Sequence, residues 1–380
     1  MRRRDFLAAV ARASAASAAV ATLPAWARSA AAAASGPPEL IERNEYPEHW
    51  ETTVAGLDRA WLTSNERFFV RSHFSAPPKD PATWRLEVTG LVERPLSLSL
   101  DDLRAIGAVE RVHTLECAGN GRGRYQLPRT SGTQWDLGAV GTARWGGVRL
   151  ATLLTRAGVK PEAKHVWFEA ADRGLLPTVP PFLRSIPLAK ATADVMIADR
   201  MNGAPLPSLH GGPLRAVVPG WFGMAWAKWV TRVRVEATPS DNHFMVKGYR
   251  YTYPGEDAAQ APPVEEMRIK SLITRPVEGA RVAVGRVIVQ GFAWAGAPGV
   301  RVVEISTDNG RSWRPAGFMG EKADFAWRQW ATEVEAKAPG RITVLARATD
   351  GAGEAQPLAA RANASGYANN AIHRVSFRVA

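Results

Sequence analysis

The segment with the clearest capacity for chemistry is Val112–Arg124, which reads V-H-T-L-E-C-A-G-N-G-R-G-R and holds Cys117, the only cysteine in 380 residues. Its first residues are typical of a strand end, and three alternating glycines then predict a turn whose backbone comes close to a ligand. Arg122 and Arg124 follow, and cations beside a thiol favour the thiolate, the form that binds soft metals. A lone cysteine is more often a small buried hydrophobic residue. Residue chemistry alone leaves both interpretations open.

The run L-E-C-A-G-N-G-R resembles the molybdenum-ligand segment of the sulfite oxidase family, in which one cysteine thiolate holds molybdenum beside the dithiolene of a molybdopterin. Other segments resemble the family in the same order along the chain, from about Phe68 to His373. The resemblance implies a Mo-molybdopterin cofactor with Cys117 as the metal ligand. It also implies an α+β fold, in which a mixed α/β molybdopterin domain precedes an immunoglobulin-like β-sandwich.

The run F-F-V-R-S-H at 68–73 places Arg71 and His73 on one face of a predicted strand. Without the family, the pair is typical of a solvated arginine and a structural histidine. The resemblance implies that this run contacts the cofactor and that Arg71 also faces the substrate oxygens. The cofactor contacts implied for this run are Phe69, Val70, Arg71, Ser72 and His73.

Three more residues match substrate-pocket positions of the family. Arg122 matches a second pocket arginine, five residues after the cysteine. Trp135 matches a tryptophan beside the metal, although most of the 14 tryptophans are expected in the core. Arg328 matches an arginine that reaches in from the second domain, although its alternation with Trp327 and Trp330 is also typical of a surface strand.

The remaining implied cofactor contacts lie in later loops and strand ends. H-G-G-P-L-R-A-V-V-P-G at 210–220 and W-A-K-W-V at 226–230 resemble family segments at the family spacing. A pterin phosphate needs fixed cations and amide donors, and these runs supply two cations. Read without the family, His210 is a loop histidine, Lys228 is a strand-edge charge and Asp172 is a turn residue. The contacts implied for these later segments are Asp172, His210, Arg215, Trp226, Ala227 and Lys228.

One position departs from the family pattern. Sulfite oxidases carry a tyrosine followed by Lys-Gly near the end of the first domain, and the corresponding run of this chain is F-M-V-K-G-Y-R. Val246 occupies the tyrosine slot in this alignment. Tyr249 or Tyr251 is the alternative residue to reach the site. The departure leaves the substrate open more than the fold.

Hydrophobic periodicity and turn residues predict the domain organisation. Helices are expected at 98–106, starting near Ser99, and at 150–157, closed by Gly158. A catalytic domain is expected at 45–262 and a second domain at 267–380, joined by a polar, proline-bearing linker. Seven short strands in the second domain, with Asn309-Gly310 as a hairpin signal, favour a sandwich. In the family such a domain serves dimerisation, so a homodimer is expected.

The N-terminus resembles an export signal. M-R-R-R-D-F-L is followed by an alanine-rich apolar run too short to span a membrane, and then by A-W-A. The pair of arginines resembles a twin-arginine signal, and an ordinary secretory signal with a basic start is the alternative. The expectation is a twin-arginine signal peptide at 1–27, periplasmic localisation and no membrane span.

Charge and composition limit the classes of partner. The chain carries a formal net charge of +12, which falls to +9 without the four arginines and one aspartate of residues 1–27. After residue 27 no lysine or arginine run, helix-turn-helix pattern or zinc spacing occurs, so nucleic acid is not expected as a partner. Arginines scattered among glycines and aromatics favour capture of a small anion.

The functional hypothesis is oxidation of sulfite, or a related small sulfur anion, at molybdenum. No Cys-x-x-Cys-His haem motif is present, so haem is not expected and a separate c-type cytochrome is expected to accept the electrons. Sulfane-sulfur dehydrogenation or sulfoxide reduction on the same scaffold is the nearest alternative. A non-catalytic periplasmic scaffold is the alternative of another class.

Overall fold

The computed structural model describes residues 39–78, 80–125 and 129–380. The predicted signal peptide at 1–27 therefore lies outside the described residues. These residues form a mixed α/β fold that is rich in sheet and has few, short helices. No helix in these ranges combines the length and the apolar character that crossing a membrane requires.

The first two thirds of the described chain alternate short strands with loops. Its strands are β1 (Leu40–Asn44), β2 (His49–Thr52), β3 (Val70–Arg71), β4 (Leu86–Gly90), β5 (Leu96–Leu98), β6 (Val109–Glu116), β7 (Val140–Arg149), β8 (His165–Ala170), β9 (Leu183–Pro187), β10 (Met196–Met201), β11 (Ala204–Pro205), β12 (Arg215–Val217) and β13 (Val230–Glu236). The α-helices are α1 (Val54–Leu57), α2 (Leu100–Ile106), α3 (Leu150–Ala157), α4 (Leu188–Ala193) and α5 (His243–Val246). Single 3₁₀ turns lie at Pro81–Thr83, Arg122–Arg124, Ser208–His210 and Gly223–Ala225.

The last third is built from strands. They are β14 (Lys270–Arg275), β15 (Arg281–Val282), β16 (Gly285–Trp294), β17 (Val300–Ser306), β18 (Arg314–Pro315), β19 (Gly317–Met319), β20 (Arg328–Ala336), β21 (Gly340–Asp350) and β22 (His373–Val379). One sheet has the order β14-β16-β20-β19 and the other the order β15-β22-β21-β17-β18. Residues from both sheets, such as Ile273, Trp330, Val344 and Phe377, form one hydrophobic core.

Three sheets of the first part bring their strand ends together. They have the orders β1-β2-β3, β11-β10-β7-β6 with β12 beside β10, and β5-β4-β13-β8-β9. Strand β13 runs parallel to β4 and antiparallel to β8, with Val230 opposite Ala170. The end of β8 and the approach to β13 therefore meet at one edge. Backbone bonds from Val230 N to Leu214 O (2.9 Å) and from Trp229 N to Gly211 O (3.2 Å) bring the loop before β12 to the same place.

The two helices predicted from the sequence are confirmed, and their ends show why. Ser99 caps α2 in a capping box with Asp102, whose carboxylate accepts from the Ser99 amide at 2.8 Å. Helix α3 ends at Gly158, which has φ 70° and donates its amide to Leu154 O. The left-handed φ is the reason why glycine stands there.

The second-domain strands are confirmed with shifted limits. Residues 267–380, all of which the structure describes, contain the nine strands β14 to β22 where seven were expected. Strand β22 was missed. It pairs with β21 over seven residues, and its charged outer residues obscured its apolar inner face.

Candidate active site

A cavity lies where the strand ends of the first part meet. Ten of the predicted site residues line it, beside residues that the sequence did not single out. The ten are Phe69, Arg71, Ser72, His73, Cys117, Asp172, His210, Arg215, Trp226 and Lys228. They come from β3, the residue after β6, the loop after β8, the region of β12 and the approach to β13. Residues far apart in sequence thus share one wall.

Cys117 follows directly on β6, and a tight turn holds it in place. Its amide donates to Ala139 O at 2.9 Å, and its carbonyl accepts from the Asn120 amide at 2.9 Å. Gly121 has φ 87°, and a β-carbon at Gly119 would lie 2.8 Å from the Arg122 guanidinium. The glycines are therefore required by backbone conformation and by close packing, and the partly exposed thiol faces the cavity.

Arg71 and His73 lie beside each other on the wall. Arg71 is paired with His49 across β2 and β3, and its guanidinium contacts the His73 ring. Phe182 stacks on His73 with ring centroids 4.3 Å apart. Burial, reinforced by the charge of Arg71, lowers the pKa of His73 well below its ordinary value. His73 is therefore a neutral imidazole at physiological pH.

Arg215 is a buried cation between two aromatic rings. Its guanidinium lies 4.9 Å from the centre of Trp145 and 5.7 Å from that of Trp226. It donates to His210 O at 2.7 Å, and its Nε, also buried, has no hydrogen-bond partner in the structure. Burial lowers the pKa of Arg215 to about 9, which leaves it charged at neutral pH.

Lys228 extends along the same wall. Its ammonium donates to Ser72 Oγ at 2.5 Å and to Leu209 O at 2.9 Å, and lies 4.2 Å from the centre of the Trp229 ring. Burial, followed by the charge of Arg215, lowers the Lys228 pKa well below its ordinary value. Among the described residues, none of Arg71, Arg215 and Lys228 has an ion-pair partner among the salt bridges observed.

Asp172 and His210 complete the polar part of the wall. Burial raises the pKa of Asp172 to about 6, and its Oδ1 has no hydrogen-bond partner in the structure. Burial lowers the pKa of His210 to about 4, and its Nε2 lies 2.8 Å from Asn65 O. The neutral ring therefore carries its proton on Nε2, which donates to that carbonyl.

Five predicted residues lie outside the wall. Val70 and Ala227 are buried neighbours of wall residues. Trp135 is buried in the core with its ring 5.8 Å from that of His49. Arg122 donates to Ser365 O and Thr133 O, both at 2.8 Å. Arg328 lies 4.4 Å from the centre of the Phe318 ring. The structure does not gather Arg122, Trp135 or Arg328 at the cavity.

The tyrosine of the wall is Tyr249. Its hydroxyl lies 3.0 Å from His73 Nε2, and its ring stacks on Tyr367 at 5.3 Å. Val246, in contrast, is 45% exposed on α5, and Tyr251 is not part of the wall. Of the alternatives that the sequence left open, Tyr249 is the one at the cavity. The K-G-Y order was a visible signal, but a valine at the aligned position masked it.

Apolar wall residues were missed because their types are typical of a core, and a buried arginine behind the wall was missed because arginines are usually exposed. Phe182 and Met224 line the cavity. Arg184 lies behind it, 2% exposed, with its guanidinium 5.3 Å from the centre of the Tyr249 ring. Nothing in the spacing of these residues separates them from packing residues, since their role depends on loops that meet only in the folded chain.

The wall fits an anionic cofactor that brings a soft metal. Buried cations without carboxylate partners are costly unless an anion neutralises them, and Arg215 Nε and Asp172 Oδ1 are unpartnered polar atoms at the same place. A thiol is the side chain that soft metals prefer. In the described part of the chain, no three His, Cys, Asp or Glu side chains lie close enough together to hold a metal ion.

Comparisons with known proteins agree with this chemistry. A model of the oxidoreductase molybdopterin binding domain matches residues 73–244, and one of the Mo-co oxidoreductase dimerisation domain matches 261–380. The chain is 37% identical to sulfite oxidase of Gallus gallus over 357 residues, which cover 89% of this chain and 77% of that protein. It is 30% identical to sulfite oxidase of Arabidopsis thaliana over 373 residues, 90% of this chain and 94% of that one.

The mammalian relatives are longer. Mitochondrial sulfite oxidase of Rattus norvegicus is 37% identical over 362 residues, 90% of this chain but 66% of that protein, so this chain spans about two thirds of it. Among solved structures, the sulfane dehydrogenase SoxCD from Paracoccus pantotrophus matches with TM-score 0.79 and 30% identity over 90% of each chain. The chain belongs to the sulfite oxidase family of molybdopterin-dependent oxidoreductases.

Proposed function

We propose that this protein oxidises sulfite to sulfate at a molybdenum held by Cys117 and passes the electrons to an external c-type cytochrome. The observation that carries the proposal is the placement of the Cys117 thiol and the cations Arg71, Arg215 and Lys228 in one cavity wall. The sulfite oxidase relatives support the choice of substrate. When bound, the molybdopterin supplies two-electron redox chemistry and oxygen-atom exchange with water.

Different residues of the wall hold the metal and the pterin phosphate. Cys117 is the thiolate ligand of the metal. Arg215 and Lys228 hold the pterin phosphate, because fixed cations in a dry wall give strong charge-assisted bonds. The other contacts shape the slot or add backbone donors; they are Phe69, Val70, Ser72, His73, Asp172, His210, Trp226 and Ala227.

Arg71 is proposed to bind the substrate anion. Its guanidinium belongs to the wall, whereas Arg122 and Arg328 have partners outside it. The overall reaction consumes sulfite and water and yields sulfate, two protons and two electrons. The Tyr249 hydroxyl and the neutral His73 ring, 3.0 Å apart, form a pair at the wall that can carry one of these protons.

Arg122, Trp135 and Arg328 are proposed to act less directly. Arg122 bonds two carbonyls and lies 5.3 Å from the centre of the Tyr367 ring, so it fixes the loop after Cys117. Trp135 packs behind that loop and accepts the Gly123 amide at its carbonyl, at 2.8 Å. Arg328 contributes positive potential from the second domain.

A sulfane-sulfur substrate is the second candidate. It is favoured by the likeness to the solved structure of a sulfane dehydrogenase. Its carrier-bound substrate requires a wider approach than sulfite does. Steady-state rates with sulfite and with thiosulfate, measured on one preparation, separate the two candidates.

The proposal also includes the localisation, the oligomeric state and the domain organisation of the protein. The twin-arginine resemblance supports export of the folded protein to the periplasm, with residues 1–27 removed. The match to a dimerisation domain at 261–380 supports a homodimer. The two sheets that share a core in this region support an immunoglobulin-like sandwich, with domain limits at 45–262 and 267–380.

The test is an assay of molybdenum content and sulfite-dependent cytochrome c reduction on periplasmic protein. About one molybdenum per chain is expected, and Cys117→Ser should abolish the reduction. Arg71→Gln should raise KM for sulfite about 10–100-fold, because a charged hydrogen bond is lost, while the exposed Arg85→Gln leaves it unchanged. Metal-free protein with full activity, or an unchanged KM in Arg71→Gln, would overturn the proposal.

A further inference from the structure

A buried polar cluster lies directly behind the cysteine loop. Glu116, the residue before Cys117, is 2% exposed. Its Oε1 accepts from Lys270 Nζ at 3.0 Å and from Asn120 Nδ2 at 2.9 Å, and its Oε2 accepts from Trp294 Nε1 at 2.8 Å. Lys270 and Trp294 belong to β14 and β16. The strands of the last third of the chain therefore hold the residue next to the thiol.

A second set of bonds holds the other side of the loop. The Ala368 amide donates to Ala118 O at 2.7 Å, and Asn369 Nδ2 donates to Gly121 O at 2.9 Å. Arg122 Nε donates to Ser365 O at 2.8 Å. Each of these bonds again joins the cysteine loop to the last third of the chain.

The chemistry of the cluster points to precision rather than to stability. A buried ion pair returns little net stability compared with apolar residues of similar size, and its best-attested use is to fix one arrangement. In this cluster the carboxylate makes three bonds in fixed directions, and Lys270 also donates to Asn120 O at 3.3 Å. Apolar packing would allow the turn to slide, whereas these directional bonds fix the position of the residue before Cys117.

We propose that Lys270 and Trp294 are positioning residues for Cys117, so that the last third of the chain completes the metal site through Glu116. The inference deepens the proposed function, since it takes Cys117 as the metal ligand. It gives the strands of this region a task beyond association between copies of the chain.

The experiment measures how tightly the loop is held in full-length, cofactor-free protein. Cys117 is the only cysteine, so its alkylation by iodoacetamide reports on this position alone. The variants are Lys270→Met, Trp294→Phe, Glu116→Gln and the double variant Glu116→Gln/Lys270→Met. The control is Gln290→Met, which removes a bond of 2.9 Å from the same strand β16 to Asp58, away from the cysteine.

Lys270→Met is expected to raise the alkylation rate of Cys117 about fivefold. The double variant Glu116→Gln/Lys270→Met is expected to have a rate close to that of wild type, because the effects of residues in direct contact are non-additive. Gln290→Met should leave the rate unchanged. If Lys270→Met does not fold, Trp294→Phe, which keeps the ion pair and loses one bond, gives the comparison. Rates in the folded variants equal to that of Gln290→Met, or additive effects in the double variant, would overturn the proposal.

Molybdenum content is measured in parallel on cofactor-loaded protein. A wild-type chain without molybdenum would end the proposed function but would leave the alkylation result standing. Unchanged alkylation in a molybdenum-containing protein would end the positioning role alone. The two failures are therefore distinguishable.

Discussion

The cations of the cavity wall and the lysine behind the cysteine loop have different partners. Lys270 is buried and paired with Glu116 at 3.0 Å, and the carboxylate has two further donors. Arg215 is as deeply buried, yet its described bonds go to backbone carbonyls. Lys228 likewise contacts a hydroxyl and a carbonyl. A paired buried charge is neutralised within the chain itself, whereas unpaired cations in a cavity wall indicate that an anion binds there.

The largest expected effect is on stability and separates the two lysines. Lys270→Met should lower the free energy of unfolding of cofactor-free protein by about 3–5 kcal/mol, because Glu116 is left as an unpaired buried charge. Lys228→Met should change it by at most about 1 kcal/mol, since the cost of burying that ammonium disappears together with its two bonds. Urea denaturation of both variants measures the difference.

Equal losses in the two variants would contradict the comparison. They would mean that Lys228 is as fully compensated within the chain as Lys270. The same substitution is made in both cases, so differences in side-chain size or entropy do not enter.

The next largest effect is the pH-dependent contribution of Asp172 to the free energy of unfolding. Burial raises the pKa of Asp172 from 3.8 to about 6, so between these values the unfolded chain releases a proton that the folded chain keeps. Asp172 therefore costs nothing below pH 4, and its cost grows as pH rises to about 6. Asp172→Asn should stabilise cofactor-free protein by about 3 kcal/mol above pH 6 and by almost nothing at pH 4.

Urea denaturation at pH 4, 5, 6 and 7 checks this profile against wild type. A difference that does not change with pH would show that folding leaves the Asp172 pKa unchanged, and a variant that is less stable at pH 7 would show that Asp172 is ionised and paired with a wall cation. The comparison between paired and unpaired groups would then fail at this residue.

The smallest effect is anion binding by cofactor-free protein. Inorganic pyrophosphate at ten times its Kd should stabilise the chain by about 1.4 kcal/mol, because it binds only the folded state. Thermal unfolding should show a rise in Tm that is lost in Arg215→Met and Lys228→Met. Lys270→Met lowers the starting Tm but should keep the rise, and a rise that depends on Lys270 instead would contradict the assignment.

Local signals in the sequence predicted a large part of the fold. Ser99 and Gly158 mark helix ends by capping chemistry, which depends only on neighbouring residues. The short strands of the last third followed from turn residues. Strand β22 did not, because its exposed arginines obscured the apolar face that it turns to the core.

The site was predictable where a motif carried it and not where folding assembled it. Cys117, Arg71, Arg215 and Lys228 lie in runs that resemble a known family, and the structure places all four at one cavity. Tyr249 was one of two tyrosines that a shifted alignment left open. The Glu116–Lys270 pair spans 154 positions, and neither residue differs from an ordinary surface charge until the strands meet.

X-ray absorption at the molybdenum edge, on cofactor-loaded wild-type and Cys117→Ser proteins prepared side by side, tests the central claim most directly. The wild-type metal should have one more sulfur neighbour than the metal in the variant. Identical sulfur shells in the two proteins would show that Cys117 does not hold the metal, and would contradict the assignment of the cavity as the molybdenum site.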